Sequence, residues 1–251
     1  MILYLEQLAN LKHLPNIGDA INITSNNSHF KSIRPKIGDK LEVTNLQGIL
    51  MNTEVLDYDF KSGNGRIKIL STKKDNNDDS KRVLIQAIIA KEYLEKLVEI
   101  APIAKITTII IANSNYSQKY NLTETHKNRL ESILIRACEQ SHCLHKPIIE
   151  YRLDTNIDNS DMISEYCKTK IVVMELPSKN SAASKNKDNL EKKNSTTTSN
   201  ITVIVGAEGG FDHNELNNFK AKESENLLRI ESLNVGILPA WLAGYSYFLS
   251  L

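Results

Sequence analysis

Ile201-Thr202-Val203-Ile204-Val205-Gly206-Ala207-Glu208-Gly209-Gly210-Phe211-Asp212-His213-Asn214-Glu215 is the stretch whose reading decides the fold. Ile201 to Val205 reads as a buried strand. Gly206, Gly209 and Gly210 follow, and Asp212 with Glu215 forms a D-x-x-E pattern that starts a helix. Glycines at such a place reach positive φ and let the backbone approach a ligand closely. A strand–loop–helix junction at the carboxyl end of a parallel sheet is where α/β proteins bind ligands. On the glycines alone, an ordinary tight connection is the competing reading. The spacing is neither G-x-G-x-x-G nor a Walker loop, and no Lys-Ser/Thr follows, which disfavours dinucleotide and nucleoside triphosphate sites.

The same alternation extends outward. Arg82 to Ala90 is an apolar strand candidate, and Lys91 to Ile100 a short helix stopped near Pro102. Lys105 to Ala112 carries a β-branched run (Ile106, Thr107, Thr108, Ile109, Ile110, Ile111), as buried parallel strands do. Thr123 to Ser141 is the clearest helix, with Leu130, Ile133, Leu134, Ala137 and Cys138 on one face. Further strands are predicted at Ile148 to Tyr151 and Lys170 to Leu176, and a largely buried helix at Pro239 to Leu251. Alternating β and α elements predict an α/β domain with a parallel sheet.

Two regions depart from this pattern. Residues 1–72 read as short strands punctuated by Gly18-Asp19, Gly38-Asp39 and Gly63-Asn64-Gly65. Lys40 to Thr44 and Arg66 to Leu70 alternate polar and apolar, so a small all-β barrel is predicted there. Ser71 to Lys81 is polar and reads as a linker into the second domain, 73–251. Within that domain, 178–200 holds one leucine and no aromatic residue, and reads as a disordered surface insertion. Its lysines would brush RNA, but a solvated loop is the stronger reading.

Composition sets the remaining bounds. Thirty-one basic residues stand against 30 acidic ones, a net charge of +1, so nucleic-acid contact would have to come from local patches. No apolar run approaches a membrane span, and the start of the chain lacks the pattern of a signal peptide. Cys138, Cys143 and Cys167 lack C-x-x-C spacing and fit reduced thiols in a cytosol. His142-Cys143-x-His145 lacks a fourth ligand, so no metal is expected. No G-x-S-x-G elbow is present.

A second segment, Leu227-Leu228-Arg229-Ile230-Glu231-Ser232, lies about 20 residues beyond the glycine loop. Together the two resemble the SPOUT 16S rRNA uridine-N3 methyltransferases, which carry a G-P-E-G-G-F/L loop and then L-G-x-R-I-L-R-x-E-T-A. Upstream, Leu84-Ile85-Gln86-Ala87 is similar to the family's L-x-Q-A, and Lys96 to Ile100 to its K-A-T-E-L. Ala137-Cys138-Glu139-Gln140-Ser141 resembles A-x-E-Q-S, and His29 to Val43 the H-H-x-x-V-L-R-x-x-x-G-D segment. The resemblance covers most of the chain. Departures are Ala207 for proline, Ser224 for glycine and Asn226 for arginine. Leu233 and Asn234 stand where small alanines are expected, Cys143 replaces an arginine, and Asn113-Ser114 replaces R-S. They motivate a competing reading, a non-catalytic or altered-specificity RNA-binding protein that keeps the fold.

The resemblance implies a PUA-like β-barrel followed by a SPOUT α/β domain with a C-terminal trefoil knot. It implies S-adenosylmethionine as cofactor, 16S rRNA or the small ribosomal subunit as substrate, a homodimer formed through the knot, and a cytoplasmic location. The implied cofactor residues are Glu175, Leu176 and Pro177, then Gly206, Ala207, Glu208, Gly209 and Gly210, then Leu227, Leu228, Ile230 and Ser232. Arg229 is the expected stabiliser of the uracil anion, with Glu231 as a base or as its partner; Glu208 has an equal claim to a structural role. Lys31, Arg34 and Lys36 form a basic cluster suited to phosphates, with a solvated strand edge as the alternative.

Overall fold

The computed structural model describes residues 2–9, 14–24, 28–75, 80–119, 121–166, 170–175, 200–225, 228–232 and 240–249. At Lys31, Glu175, Arg229, Glu231 and Ser232 it describes the backbone only. Leu176, Pro177, Leu227 and the expected insertion up to residue 199 lie outside the described residues. The chain forms two compact units, residues 1–77 with 131–146, and residues 78–130 with 147–251.

The first unit contains β1 (Leu3–Tyr4), α1 (Glu6–Ala9), β2 (Ala20–Ile23), α2 (Ser28–Ile33), β3 (Lys40–Thr44), β4 (Ile49–Asp59) and β5 (Asn64–Lys74). Its strands make one five-stranded sheet in the order β1-β3-β4-β5-β2, antiparallel except for β1 beside β3. Polar–apolar alternation does place Val43, Met51, Val55, Ile67 and Ile69 on the buried face, with Phe30 of α2 against them. The stretch expected to begin a linker at Ser71 is still strand as far as Lys74, paired with Ile49. Its lysines stand on a solvated face, which makes a strand end look like a tether in sequence.

The second unit contains β6 (Arg82–Ala87), α3 (Lys91–Ile100), β7 (Thr108–Asn113), α4 (Glu124–Ser141, whose second half belongs to the first unit), β8 (Ile148–Asn156) and α5 (Ser160–Glu165). It continues with β9 (Lys170–Glu175), β10 (Ile201–Val205), α6 (His213–Ser224), β11 (Arg229–Ser232) and α7 (Ala240–Leu249). Its six strands form a parallel sheet ordered β11-β9-β10-β6-β7-β8. Every residue of β10 is buried, as its continuous apolar run predicts. Fully burying a Val or Ile there contributes roughly 1.5–3 kcal/mol each. On one face, Ile85, Ile110, Val173 and Ile204 pack with Phe211 and Phe219, whose rings meet edge to face at 5.1 Å. On the other, α7 packs against β10 and α3. Gly244 allows that approach, since a Cβ there would lie 2.7 Å from Leu84 Cδ1 and 3.1 Å from Val205 Cγ2.

The second half of α4 holds β1 through Glu139. Glu139, 2% exposed, accepts the Tyr4 N–H at Oε1 (2.8 Å), and its carbonyl accepts the Ile2 N–H. This carboxylate closes the backbone of a two-residue strand that has one sheet neighbour.

Candidate active site

The carboxyl ends of β6, β7 and β10 are adjacent, because Val205 is level with Gln86, and Gln86 with Ile111. Three connections therefore meet there: residues 88–90 after β6, 114–118 after β7, and 206–212 after β10.

The glycine loop is closed on itself. Gly210 donates its N–H to the Ala207 carbonyl at 2.9 Å, and the two residues form an isolated antiparallel bridge. Gly210 has φ +78°, a conformation that L side chains rarely adopt. A Cβ on Gly206 would lie 2.8 Å from the Gly210 carbonyl oxygen, so the close approach requires its absence. Glu208 and Gly209 form the exposed tip, while Gly206, Ala207 and Gly210 are buried. The Ala207 methyl belongs to the sheet's hydrophobic core.

Polar side chains fix this loop to its neighbours. Gln86, fully buried, donates from Nε2 to the Gly206 carbonyl (2.9 Å) and to the Ala87 carbonyl (3.2 Å). Its Oε1 is buried and has no hydrogen-bond partner among the described residues. Glu208 Oε1 accepts the Ala90 N–H at 3.0 Å. Ala90 is the N-cap of α3 and has no side-chain cap of its own, so the Glu208 carboxylate brings negative charge to that helix N-terminus.

Helix α6 begins as its D-x-x-E pattern predicts. Asp212 Oδ1 accepts the Glu215 N–H (2.7 Å), and Glu215 Oε2 accepts the Asp212 N–H (2.8 Å). Both side chains also reach the loop after β7: Glu215 Oε1 accepts the Asn115 N–H (2.9 Å), and Asp212 Oδ2 accepts from Asn115 Nδ2 (2.6 Å). These bonds, the Glu215 N–H first, hold the Asp212 carboxyl below its ordinary range.

The remaining expected residues fall on two levels. Ser232 is level with Glu175, and Glu231 with Met174, which is in turn level with Val205, so these backbones reach the same sheet edge as the glycine loop. Arg229 is level with Val172, two residues lower, about 7 Å along the strand at the usual rise per residue. Leu228 is a core residue before β11 begins, and Ile230 packs partly buried against the same core. In the first unit, Lys31 lies in α2, and Arg34 and Lys36 are exposed just after it, Arg34 with φ +50°. This cluster is a helix end and a turn rather than a strand edge.

Sequence reading did not assign Gln86, Asn115 or Tyr116 to the site. The available signal was positional: a polar turn directly after a buried parallel strand. Among the described residues, no group of three or more His, Cys, Asp or Glu is placed to hold a metal ion, and no helix is long and apolar enough to cross a membrane.

A parallel sheet with a self-closed glycine loop at its carboxyl edge defines the unit as an α/β domain, and comparison makes the class specific. Residues 76–231, more than half the chain, match the RNA methyltransferase domain family, and the chain belongs to that family. It is 29% identical over 181 residues to ribosomal RNA small subunit methyltransferase E of Rickettsia conorii, covering 69% of each chain. The fold is shared with a putative methyltransferase of Legionella pneumophila solved with SAM (TM-score 0.76, 14% identity, 99% of this chain and 95% of that one). It is also shared with ribosomal RNA small subunit methyltransferase E of Neisseria gonorrhoeae bound to S-adenosyl methionine (TM-score 0.74, 18% identity, 100% and 96%). The resemblance to SPOUT methyltransferases read from the sequence is borne out.

Proposed function

We propose that this chain transfers a methyl group from S-adenosylmethionine to N3 of a uridine in 16S ribosomal RNA of the small subunit. The observation that carries the reading is the Gly206–Gly210 loop, closed on itself and bolted to Gln86, Ala90 and, through Asp212 and Glu215, to Asn115. The Rickettsia relative supports ribosomal RNA as substrate, and the two SAM-bound neighbours support the cofactor.

The residues present fit such a cofactor. The loop offers backbone groups at an exposed tip, and Gln86 Oε1 is a buried acceptor with no partner among the described residues. Gly206, Ala207, Glu208, Gly209 and Gly210 would hold the adenosyl part, together with Glu175 at the end of the neighbouring β9 and Leu228, Ile230 and Ser232 at β11 beyond it; the proposal also includes Leu176, Pro177 and Leu227. When bound, S-adenosylmethionine supplies an electrophilic methyl group. The chain's own tasks are to hold uracil N3 in line and to ease loss of its proton. The guanidinium of Arg229 would stabilise the charge developing on uracil. Glu231, two residues further along β11, would accept the proton or hold Arg229.

The proposal includes a C-terminal trefoil knot, a homodimer formed through it, a PUA-like first unit that binds RNA through Lys31, Arg34 and Lys36, and a cytoplasmic site of action. The test is to incubate the purified chain with methyl-labelled S-adenosylmethionine and small-subunit rRNA, then analyse nucleosides by mass spectrometry. 3-Methyluridine is the expected product. Label on ribose or on another base would move the substrate assignment, and no label with no cofactor binding would favour a non-catalytic RNA-binding protein.

A further inference from the structure

We propose that Tyr116 is a platform on which a base of the substrate RNA flanking the target uridine stacks, beside a cleft that receives that flanking nucleotide. This rests on the methyltransferase reading above and adds to it a base-positioning residue and a nucleotide subsite.

The first observation is a fixed, exposed aromatic ring. Ser114 to Ser117 form a turn closed by the Ser117 N–H on the Ser114 carbonyl (2.9 Å), with Tyr116 at its apex. Asn115 is tied to Asp212 and Glu215, and Gln118 donates its N–H to the Ile88 carbonyl at 3.3 Å. Tyr116 is 55% exposed although the turn beneath it is anchored on both sides. Its ring lies beside the tip of the glycine loop: a Cβ on Gly209 would be 3.4 Å from Tyr116 Cδ2 and 3.6 Å from Cγ. An aromatic face held open in this way suits a nucleobase, because every base has a π-face to stack.

The second observation comes from the cleft beside that turn. It measures about 890 Å³ and is lined by Ile88, Asn113, Ser114, Ser117, Asn121 and Leu153, among others. Ser114 is 4% exposed, and its hydroxyl has no hydrogen-bond partner among the described residues; the Ser117 hydroxyl is buried and lacks one too. A buried hydroxyl without a partner is costly, so each points to a ligand that supplies one. The asparagine amides each offer a donor and an acceptor, which suits the hydrogen-bonding edge of a nucleobase.

The experiment compares the full-length wild type with Tyr116→Ala, Tyr116→Phe and Ser114→Ala. Four quantities are read: thermal midpoint, S-adenosylmethionine affinity, binding of a uridine-containing fragment of small-subunit rRNA, and steady-state kinetics on that fragment. Tyr116→Ala is expected to lower kcat/KM and RNA affinity by about 10- to 100-fold, the usual effect of losing one stacking partner. Cofactor affinity and thermal midpoint should not change. Tyr116→Phe keeps the ring and should stay within about twofold of wild type. Ser114→Ala removes a hydroxyl that has no partner among the described residues, so it should weaken RNA binding without lowering the thermal midpoint. Wild-type RNA affinity and kinetics in Tyr116→Ala would overturn the proposal. If the wild type transfers no methyl group but still binds the fragment in a Tyr116-dependent way, the methyltransferase reading fails and the nucleotide site stands. If it neither methylates nor binds the fragment, both fall.

Discussion

Glu215 grips two loops at once: its Oε1 accepts the Asn115 N–H at 2.9 Å and its Oε2 accepts the Asp212 N–H at 2.8 Å, with no part of the residue exposed. A buried carboxylate is tolerated here because both oxygens are engaged. Glu215→Ala strands both donors and should destabilise the protein by about 3 kcal/mol. Glu215→Gln keeps one acceptor and should cost about half as much. Urea midpoints at unchanged m-value would show this. A Glu215→Ala protein as stable as wild type would mean that the carboxylate does not hold the two loops together.

The glycines of the loop should respond differently to a methyl group. Gly206→Ala meets the Gly210 backbone at 2.8 Å and should cost about 1–3 kcal/mol of stability as well as cofactor affinity. Gly209→Ala meets nothing closer than Tyr116 Cδ2 at 3.4 Å, so the free protein should stay within about 0.5 kcal/mol of wild type. Any loss of S-adenosylmethionine binding in that variant, read by calorimetry, then reports the ligand and not the loop. Undiminished affinity in Gly209→Val would remove Gly209 from the cofactor site.

Arg229→Lys keeps the charge and loses the planar fork of donors. If Arg229 stabilises charge developing on uracil, the single-turnover methylation rate should fall on the order of a hundredfold, with cofactor affinity near wild type. Weaker cofactor binding with an unchanged rate at saturation would make it a pocket residue instead.

The basic cluster of the first unit makes a separate, salt-dependent prediction. Replacing Lys31, Arg34 and Lys36 with Ala should weaken RNA binding and flatten its dependence on salt, because fewer counterions are released. An unchanged slope in a salt titration would place the RNA contacts elsewhere.

His126 sets a pH dependence near neutrality. It is 7% exposed, and neither ring nitrogen has a hydrogen-bond partner among the described residues. Burial above all, then Lys91 and Arg129, hold its pKa below the ordinary 6.5, while Glu95 acts the other way. The unfolded chain therefore binds this proton more readily than the folded one. The stability that the neutral ring contributes is present above 6.5 and is lost as pH falls through the lowered folded value. Urea unfolding at about pH 7.5 and about pH 5.5 should show less loss in His126→Leu than in wild type. Equal loss in both would exclude His126 as the cause.

The sequence by itself determined the elements. Helix α3 and strand β10 fall on the predicted residues 91–100 and 201–205, and the cap at Asp212 is where D-x-x-E puts it. These are short-range properties, set by β-branched runs, helical periodicity and a hydrogen bond spanning three residues, and all of them can be read within one window of chain. Four short stretches were invisible for the same reason: α1 and α2, which interrupt the expected all-β region with four and six residues, and α5 and β11, with six and four, are too brief to show a period. Tertiary structure alone decided which polar groups matter. Gln86 reaches Gly206 across 120 residues, Asn115 reaches Asp212 across 97, and Tyr4 reaches Glu139 across 135. In the sequence each is one amide or carboxylate among many. The strand order, with β6 between β10 and β7, brings Gln86 to Gly206 and Asn115 to Asp212, and the packing of α4 on β1 in the first unit brings Glu139 to Tyr4, because long-range pairing and burial set which polar groups meet.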